Sequence, residues 1–321
     1  MNSSNPISLG FDIGGTNIRG LAIRPDQSVS ELVSEACLND HNEILQSIER
    51  ITDQIQRREN VEIDCIGIGV AGFVDESGMV RTSPNLSTFV DFPLQDMLQQ
   101  KFDVPILVEN DATSATWAEV QLGAARGYAN TVMVCLGTGI GAGLYLNRRL
   151  FRGESGFAGE VGHMTIVPDG IPCPCGRSGC WERYAAGSSL GEIAENLVSS
   201  GEIRSLASKA GKGVRPFQSE LIAELASQGD KEALKALDKF CYWLALGIVN
   251  LVNIFDPGRV VIGGGITELG DSLMHSVRES FDALTPERSL REKNLVTLAE
   301  FGNKAGAVGA AMLAKERFLS G

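Results

Sequence analysis

Short apolar runs separated by glycine or polar signals open the chain. Ile7 to Phe11 and Ile18 to Ile23 read as buried strands, parted by Gly14 and Gly15. Ile44, Ile48, Ile51 and Ile55 then recur at helical spacing and predict an amphipathic helix from about His41 to Arg58. Two further β-branched runs, Ile63 to Val70 and Val104 to Val108, end in the polar signals Ala71-Gly72 and Glu109-Asn110-Asp111. Strands alternating with helix in this way predict an α/β layer architecture with a mainly parallel core.

After Trp117 the pattern restarts. Thr131 to Leu136, the turn Gly137-Thr138-Gly139 and Gly141 to Leu146 repeat the opening scheme of apolar run, Gly/Thr turn, apolar run. The repetition predicts two related halves, each opening with a β-hairpin. A more polar helical region follows from Glu192 to Gln228, with a loop at Gly211-Lys212-Gly213. Lys231 to Phe255 is the longest helix, stopped by Asp256-Pro257-Gly258. Arg259 to Ile262 is a strand running into Gly263-Gly264-Gly265, and Ala305 to Phe318 closes the chain as a helix. His41 begins a helix and His275 lies on a helical face; both read as solvated or packed side chains.

The composition is globular: 43% hydrophobic and 21% charged residues in a chain of 321. Lys and Arg number 28 against 40 Asp and Glu, a formal charge of −12, which disfavours nucleic acid or an anionic membrane surface as partner. The longest apolar stretch, Phe240 to Val249, is about half of what a bilayer span needs. Met1 to Pro6 has neither the basic nor the apolar part of a leader. A cytoplasmic location, away from membranes, is expected. Seven Cys, three of them between Cys173 and Cys180, fit a reducing compartment and a metal site better than a disulfide scaffold.

Three motifs carry chemistry. In Asp12-Ile13-Gly14-Gly15-Thr16-Asn17, adjacent glycines let backbone N–H groups face an anion, Thr16 and Asn17 add donors, and Asp12 can hold a phosphate-bound Mg²⁺ through water. A plain hairpin turn is the alternative there. The run Leu136-Gly137-Thr138-Gly139-Ile140-Gly141-Ala142-Gly143 matches G-x-G-x-x-A. It precedes a strand and not a helix, which rejects a dinucleotide fingerprint, and no Walker lysine follows. Gly263 to Gly265 form a third glycine cluster. Gly159-Glu160-Val161-Gly162-His163, followed by Cys173, Cys175 and Cys180, supplies one imidazole and three thiols. That is the donor set of a closed tetrahedral structural Zn²⁺ site, with a disulfide between two of the thiols as the alternative.

Together the Gly/Thr loop from Leu136, the Gly159-Glu160-x-Gly162-His163 element and the C-x-C-G-x-x-G-C-x-E run resemble the ROK family, within it the bacterial ATP-dependent glucokinases. The resemblance implies an actin-like (ribonuclease H-like) ATPase fold of two domains with a cleft between them: residues 1–117 with 303–321, and 118–302 with the zinc. It also implies transfer of the ATP γ-phosphoryl group to the 6-hydroxyl of glucose. Other hexoses of the family (N-acetylmannosamine, mannose, fructose, allose) and a polyphosphate donor are the alternatives. Taken alone, Asp111 reads as the N-cap of a helix beginning near Ala112; the resemblance makes it the general base. It further implies sugar contacts from Gly72, Asn85, Asn110, Asp111, Glu160, His163 and Glu182. Asp12 would orient Mg²⁺, Gly14, Gly15, Thr16, Asn17, Gly137, Thr138 and Gly139 would hold phosphates, and Gly263, Gly264 and Gly265 would pass near the adenosine. A homodimer is implied as well. Regulators of this family carry an N-terminal helix-turn-helix, for which a first strand beginning near Ile7 leaves no room.

Overall fold

A computed structural model describes residues 6–209 and 217–319; the expected loop at Gly211-Lys212-Gly213 lies outside the described residues. The chain forms two compact units. The first comprises the residues through Gly127, Gly143–Ala158 and the residues from Asn303; the second comprises Tyr128–Ala142 and Gly159–Gly302. The strands in chain order are β1 (Ser8–Ile13), β2 (Asn17–Ile23), β3 (Val33–Ala36), β4 (Cys65–Val70), β5 (Phe73–Val74), β6 (Val80–Thr82), β7 (Val90–Phe92), β8 (Ile106–Asn110), β9 (Thr131–Leu136), β10 (Ile140–Leu146), β11 (Arg149–Leu150), β12 (Arg259–Gly264) and β13 (Val296–Leu298). The α-helices are α1 (His41–Glu59), α2 (Leu94–Gln99), α3 (Asp111–Gln121), α4 (Glu182–Ala185), α5 (Ser189–Ser199), α6 (Leu206–Lys209), α7 (Ser219–Ser227), α8 (Lys231–Phe255), α9 (Asp271–Leu284) and α10 (Ala305–Leu319).

The strand orders β3-β2-β1-β4-β8 and β11-β10-β9-β12-β13 follow one rule: third, second, first, fourth, fifth in order of appearance. In the first sheet β2 is antiparallel to β1 and β3, whereas β4 and β8 run parallel to β1. In the second, β12 is parallel to both β9 and β13. The duplicated order bears out the two related halves read from the sequence. The segments 118–127 and 143–158, expected with the larger domain, group instead with the first unit. Gly143 lies so close to α3 that a Cβ there would be 1.9 Å from Thr116 Oγ1. In the same segment Arg152 pairs with Glu109 at 2.7 Å, and Phe157 meets Phe73 edge-on at 5.2 Å.

In the first unit, α1 starts where the Asp40 carboxylate accepts the N–H groups of Asn42 and Glu43, and it buries Ile44, Ile48, Ile51 and Ile55 as the spacing predicts. On the sheet, α10 packs through small residues: a Cβ at Gly10 or Gly67 would lie 1.8 Å or 1.9 Å from the carbonyl oxygens of Ala307 and Ala310. The outward N–H groups of β8 are satisfied locally. Gln99 Oε1 accepts from Ile106 and Gln95 Oε1 from Val108, each at 3.1 Å. The small sheet β5-β6-β7 was not anticipated, its strands being only two or three residues long.

In the second unit, α8 begins at an Asp230 cap and packs against α9, α7, α5 and α4. Its most apolar window, with mean hydropathy 1.3, is long and apolar enough to cross a membrane, which the shorter Phe240–Val249 reading did not capture; 56% of that window is buried within the protein. The fully buried Trp181 fills a notch at Gly247, where a Cβ would be 1.9 Å from Cε2, and its indole N–H donates to Trp243 O at 2.9 Å. This contact anchors the cysteine-rich segment to the longest helix.

Candidate active site

The parallel strands of the first unit end in polar residues that gather at one place. At the head of α3, Asn110 is the cap and Asp111 the first helical residue, so the capping alternative for Asp111 does not hold. Asn110 Oδ1 accepts the Thr113 N–H at 2.9 Å, while its Nδ2 donates to Gly72 O and to Asp111 Oδ1, both at 3.1 Å. Asp111 Oδ1 also accepts the Ala112 N–H at 2.9 Å. Burial raises Asp111 above the ordinary carboxylate range, opposed by these donors. Asp12, at the end of β1, is raised from 3.8 to about 6, first by burial and then by the charge of Asp111. Arg19 opposes the rise, with Nη1 3.3 Å from Asp12 Oδ2.

The turn after Asp12 closes through Gly14 N–H to Asn17 O at 3.0 Å, and Asn17 Nδ2 donates to Thr16 Oγ1. Neither Gly14 nor Gly15 adopts positive φ. What Gly15 provides is room: a Cβ there would lie 2.8 Å from Cβ of the exposed Asn85. Gly72 stands at φ 150°, its carbonyl turned to Asn110. The first unit thus brings together Asp12, Gly72, Asn110 and Asp111, with Gly15 beside Asn85. Sequence reasoning missed Arg19, Glu109 and Ser83. Glu109 Oε1 accepts the Asn110 N–H at 2.9 Å, and the Ser83 hydroxyl donates to Ala71 O at 2.5 Å. No spacing signals them, because each partner belongs to another element or to the backbone.

In the second unit the remaining glycine runs sit side by side at the ends of two parallel strands, with Gly263 in register with Cys135 and Gly264 with Leu136. Gly264 is the position that needs glycine, with φ 103° and space for a Cβ only 2.0 Å from Leu136 O. Gly137 N–H bonds Gly139 O, Gly187 N–H bonds Gly137 O, and the Ser188 hydroxyl donates to Thr138 O. A Cβ at Gly137 or Gly265 would meet nothing within 4 Å, so both positions face open space.

His163, Cys173, Cys175 and Cys180 offer ligand atoms that all lie within 4.8 Å of one another. All seven cysteines are free thiols, so the disulfide alternative is not formed. Cys175 Sγ is 3.6 Å from Cys180 Sγ, and Cys173 Sγ is 3.8 Å from His163 Nδ1. A tetrahedron with ligands at zinc–sulfur distance has edges of about 3.8 Å, so the donors fit Zn²⁺ in spacing as well as chemistry. Nδ1 is the ring nitrogen on the thiol side, also 3.4 Å from Glu182 Oε1, and Nε2 lies 3.9 Å from Glu160 Oε2. The Arg177 backbone N–H lowers the Cys175 thiol to about 6, whereas burial raises Cys173 to about 12. Glu182 Oε1 accepts from the Cys173 thiol at 3.0 Å, and a Cβ at Gly139 would lie 2.6 Å from Glu182 Oε2. Outside these groups, His41 stacks on Phe92 at 5.2 Å and His275 faces Glu279 at 3.5 Å.

The ROK family model matches residues 8–317 of this chain. A glucokinase of Streptomyces coelicolor is 33% identical over 313 residues, 97% of this chain and 98% of its own. A xylose repressor of Bacillus spizizenii is 30% identical over 97% of this chain and 78% of its own length. Among solved structures, a ROK family glucokinase from Streptomyces griseus in complex with glucose and AMPPNP matches with a TM-score of 0.86 at 33% identity, over 97% of this chain and 99% of that one. The duplicated α/β architecture is thus the actin-like ATPase fold that the motifs implied. By its motifs, its fold and the family model that spans it, the chain belongs to the ROK family.

Proposed function

We propose that the protein is an ATP-dependent sugar kinase that transfers the γ-phosphoryl group of ATP to the 6-hydroxyl of glucose. The observation that carries this reading is the half-buried Asp111 at the head of α3, held by Asn110 and the Ala112 N–H and within reach of the charge of Asp12. With Oδ1 engaged by those two donors, Oδ2 is the atom we assign to the hydroxyl proton. Burial strengthens the hold of Asp111 on a proton, which suits a general base. Asn110 has both amide hydrogens committed, so its remaining capacity toward a sugar is as an acceptor at Oδ1. Gly72, Asn85, Glu160, His163 and Glu182 are the further sugar contacts we assign.

Asp12 with Gly14, Gly15, Thr16 and Asn17, and Gly137, Thr138 and Gly139, would hold magnesium and phosphates, and Gly263 to Gly265 the nucleoside. Bound Mg²⁺ supplies neutralisation of the phosphate charge. The His163 cluster would hold a structural Zn²⁺, which leaves Glu160 and Glu182 preorganised. A cytoplasmic homodimer completes the proposal, and light scattering tests its oligomeric state.

Replacing Asp111 by Asn is expected to abolish phosphorylation of glucose while glucose still binds, measured by initial rates and by calorimetry. Near-full turnover would remove Asp111 from its role. The same rate assay over other hexoses and polyphosphate fixes substrate and donor. The xylose repressor among the relatives favours a second reading, sugar sensing without turnover. Sugar binding with no phosphorylation by the unaltered protein, joined to a duplex-DNA gel shift at physiological salt, would favour that reading. The formal charge of −12 argues against the shift.

A further inference from the structure

Beside β8 the first unit holds a cavity of about 840 Å³, within the size range of small-molecule sites, to which none of the sugar, magnesium or nucleotide contacts assigned above contributes. Leu107, Trp117, Leu150 and Phe318 give it apolar walls; Phe318 is 40% exposed. Four guanidinium groups line it, those of Arg148, Arg149, Arg152 and Arg317, in a protein whose formal charge is −12. Of its carboxylates, Asp75 is engaged by Arg81 and Glu109 by Arg152, each at 2.7 Å. Glu76 and Glu316 also line it; partial burial raises Glu316 above its ordinary value, opposed by the nearby charge of Arg152. Arg148, Arg149 and Arg317 form no ion pair among the described residues. Apolar walls ringed by uncommitted guanidinium groups suit an organic anion with a flat apolar body and a phosphate head.

Arg152 belongs both to this cavity and to the support of Asp111. Its Nε and Nη2 bind Glu109 Oε2 at 2.7 Å, and the other oxygen of Glu109 accepts the Asn110 N–H. Asn110 in turn donates to Asp111 Oδ1. A phosphate seated among the arginines competes with Glu109 for one guanidinium. We propose that the cavity is an effector site for a small organic phosphate, which lowers turnover by drawing Arg152 away from Glu109. The effect on turnover rests on the proposed kinase reaction; the binding does not.

Phenyl phosphate is the probe. Titrated calorimetrically into the full chain without sugar or nucleotide, it should bind saturably at one site per chain and quench tryptophan fluorescence. The double variant Arg148→Glu/Arg317→Glu, at two exposed positions outside the proposed machinery, should weaken binding by about tenfold or more and keep basal turnover. Asp111→Asn should bind the probe as the unaltered chain does. No saturable binding, or binding indifferent to the arginine pair, overturns the site. In the hexose assay the probe should lower kcat without raising the KM for ATP. Arg152→Gln should show a lowered kcat that no longer responds to the probe. A bound probe that leaves kcat unchanged overturns the effector role. Binding by a protein that phosphorylates no sugar upholds the site and refutes the reaction instead.

Discussion

Asp12, near the end of β1, and Asp111, just after β8, bring two half-buried carboxylates within reach of each other's charge, and the crowding sets a pH dependence. In the folded protein Asp12 binds its proton with a value of about 6, against the ordinary 3.8 of an unfolded chain. The native state therefore holds more protons than the unfolded state between about pH 4 and 6, and stability falls as pH rises through that window. Charging Asp12 costs about 3 kcal/mol, a burden already complete at pH 7. Urea denaturation without magnesium should accordingly find Asp12→Asn more stable than the unaltered protein at pH 7, by up to about 3 kcal/mol, and equal to it at pH 4. Equal stability at both would show that burial imposes no such cost. At this scale the motif residues Asp12, Asn110 and Asp111 were legible in the sequence. Their supports were not: Arg19 reaches Asp12 across a hairpin, and Arg152 reaches Glu109 from 43 residues away.

Among elements, the docking of α10 on β1 and β4 is the most constrained. Ala307 and Ala310 bring their carbonyls to where the missing side chains of Gly10 and Gly67 would be. Gly67→Ala must push helix from sheet and should cost about 3 kcal/mol in chemical denaturation. Gly137→Ala, with nothing within 4 Å of the new methyl, should leave stability within about 0.5 kcal/mol. An equal loss at both would mean that the glycines serve backbone conformation and not close approach. The elements carried by their own periodicity were legible, α1 and α8 above all, as was β9 with its turn. The helix α9 was within reach, since Leu273, Val277 and Phe281 recur at i, i+4. The strands β5 to β7 and β13, at two or three residues, are too short to show a period, and tertiary pairing defines them.

Across the whole molecule one strand order is used twice, and what distinguishes the copies lies in what is attached to them. The first carries the carboxylates; the second carries the cysteine-rich segment, pinned to α8 by Trp181. Plasma mass spectrometry of the purified chain should find about one zinc per molecule. Cys175→Ser should lose the metal together with activity, and a metal-free native protein would refute the assignment. The carboxylate of Glu182 gives this cluster a reach beyond its own ligands. One of its oxygens rests on the Cys173 thiol and the other abuts Gly139. With zinc and nucleotide bound as proposed, it would be a strut between a mineral anchor and a phosphate cradle, and a chelator is then expected to slacken the grip on ATP well before the protein unfolds.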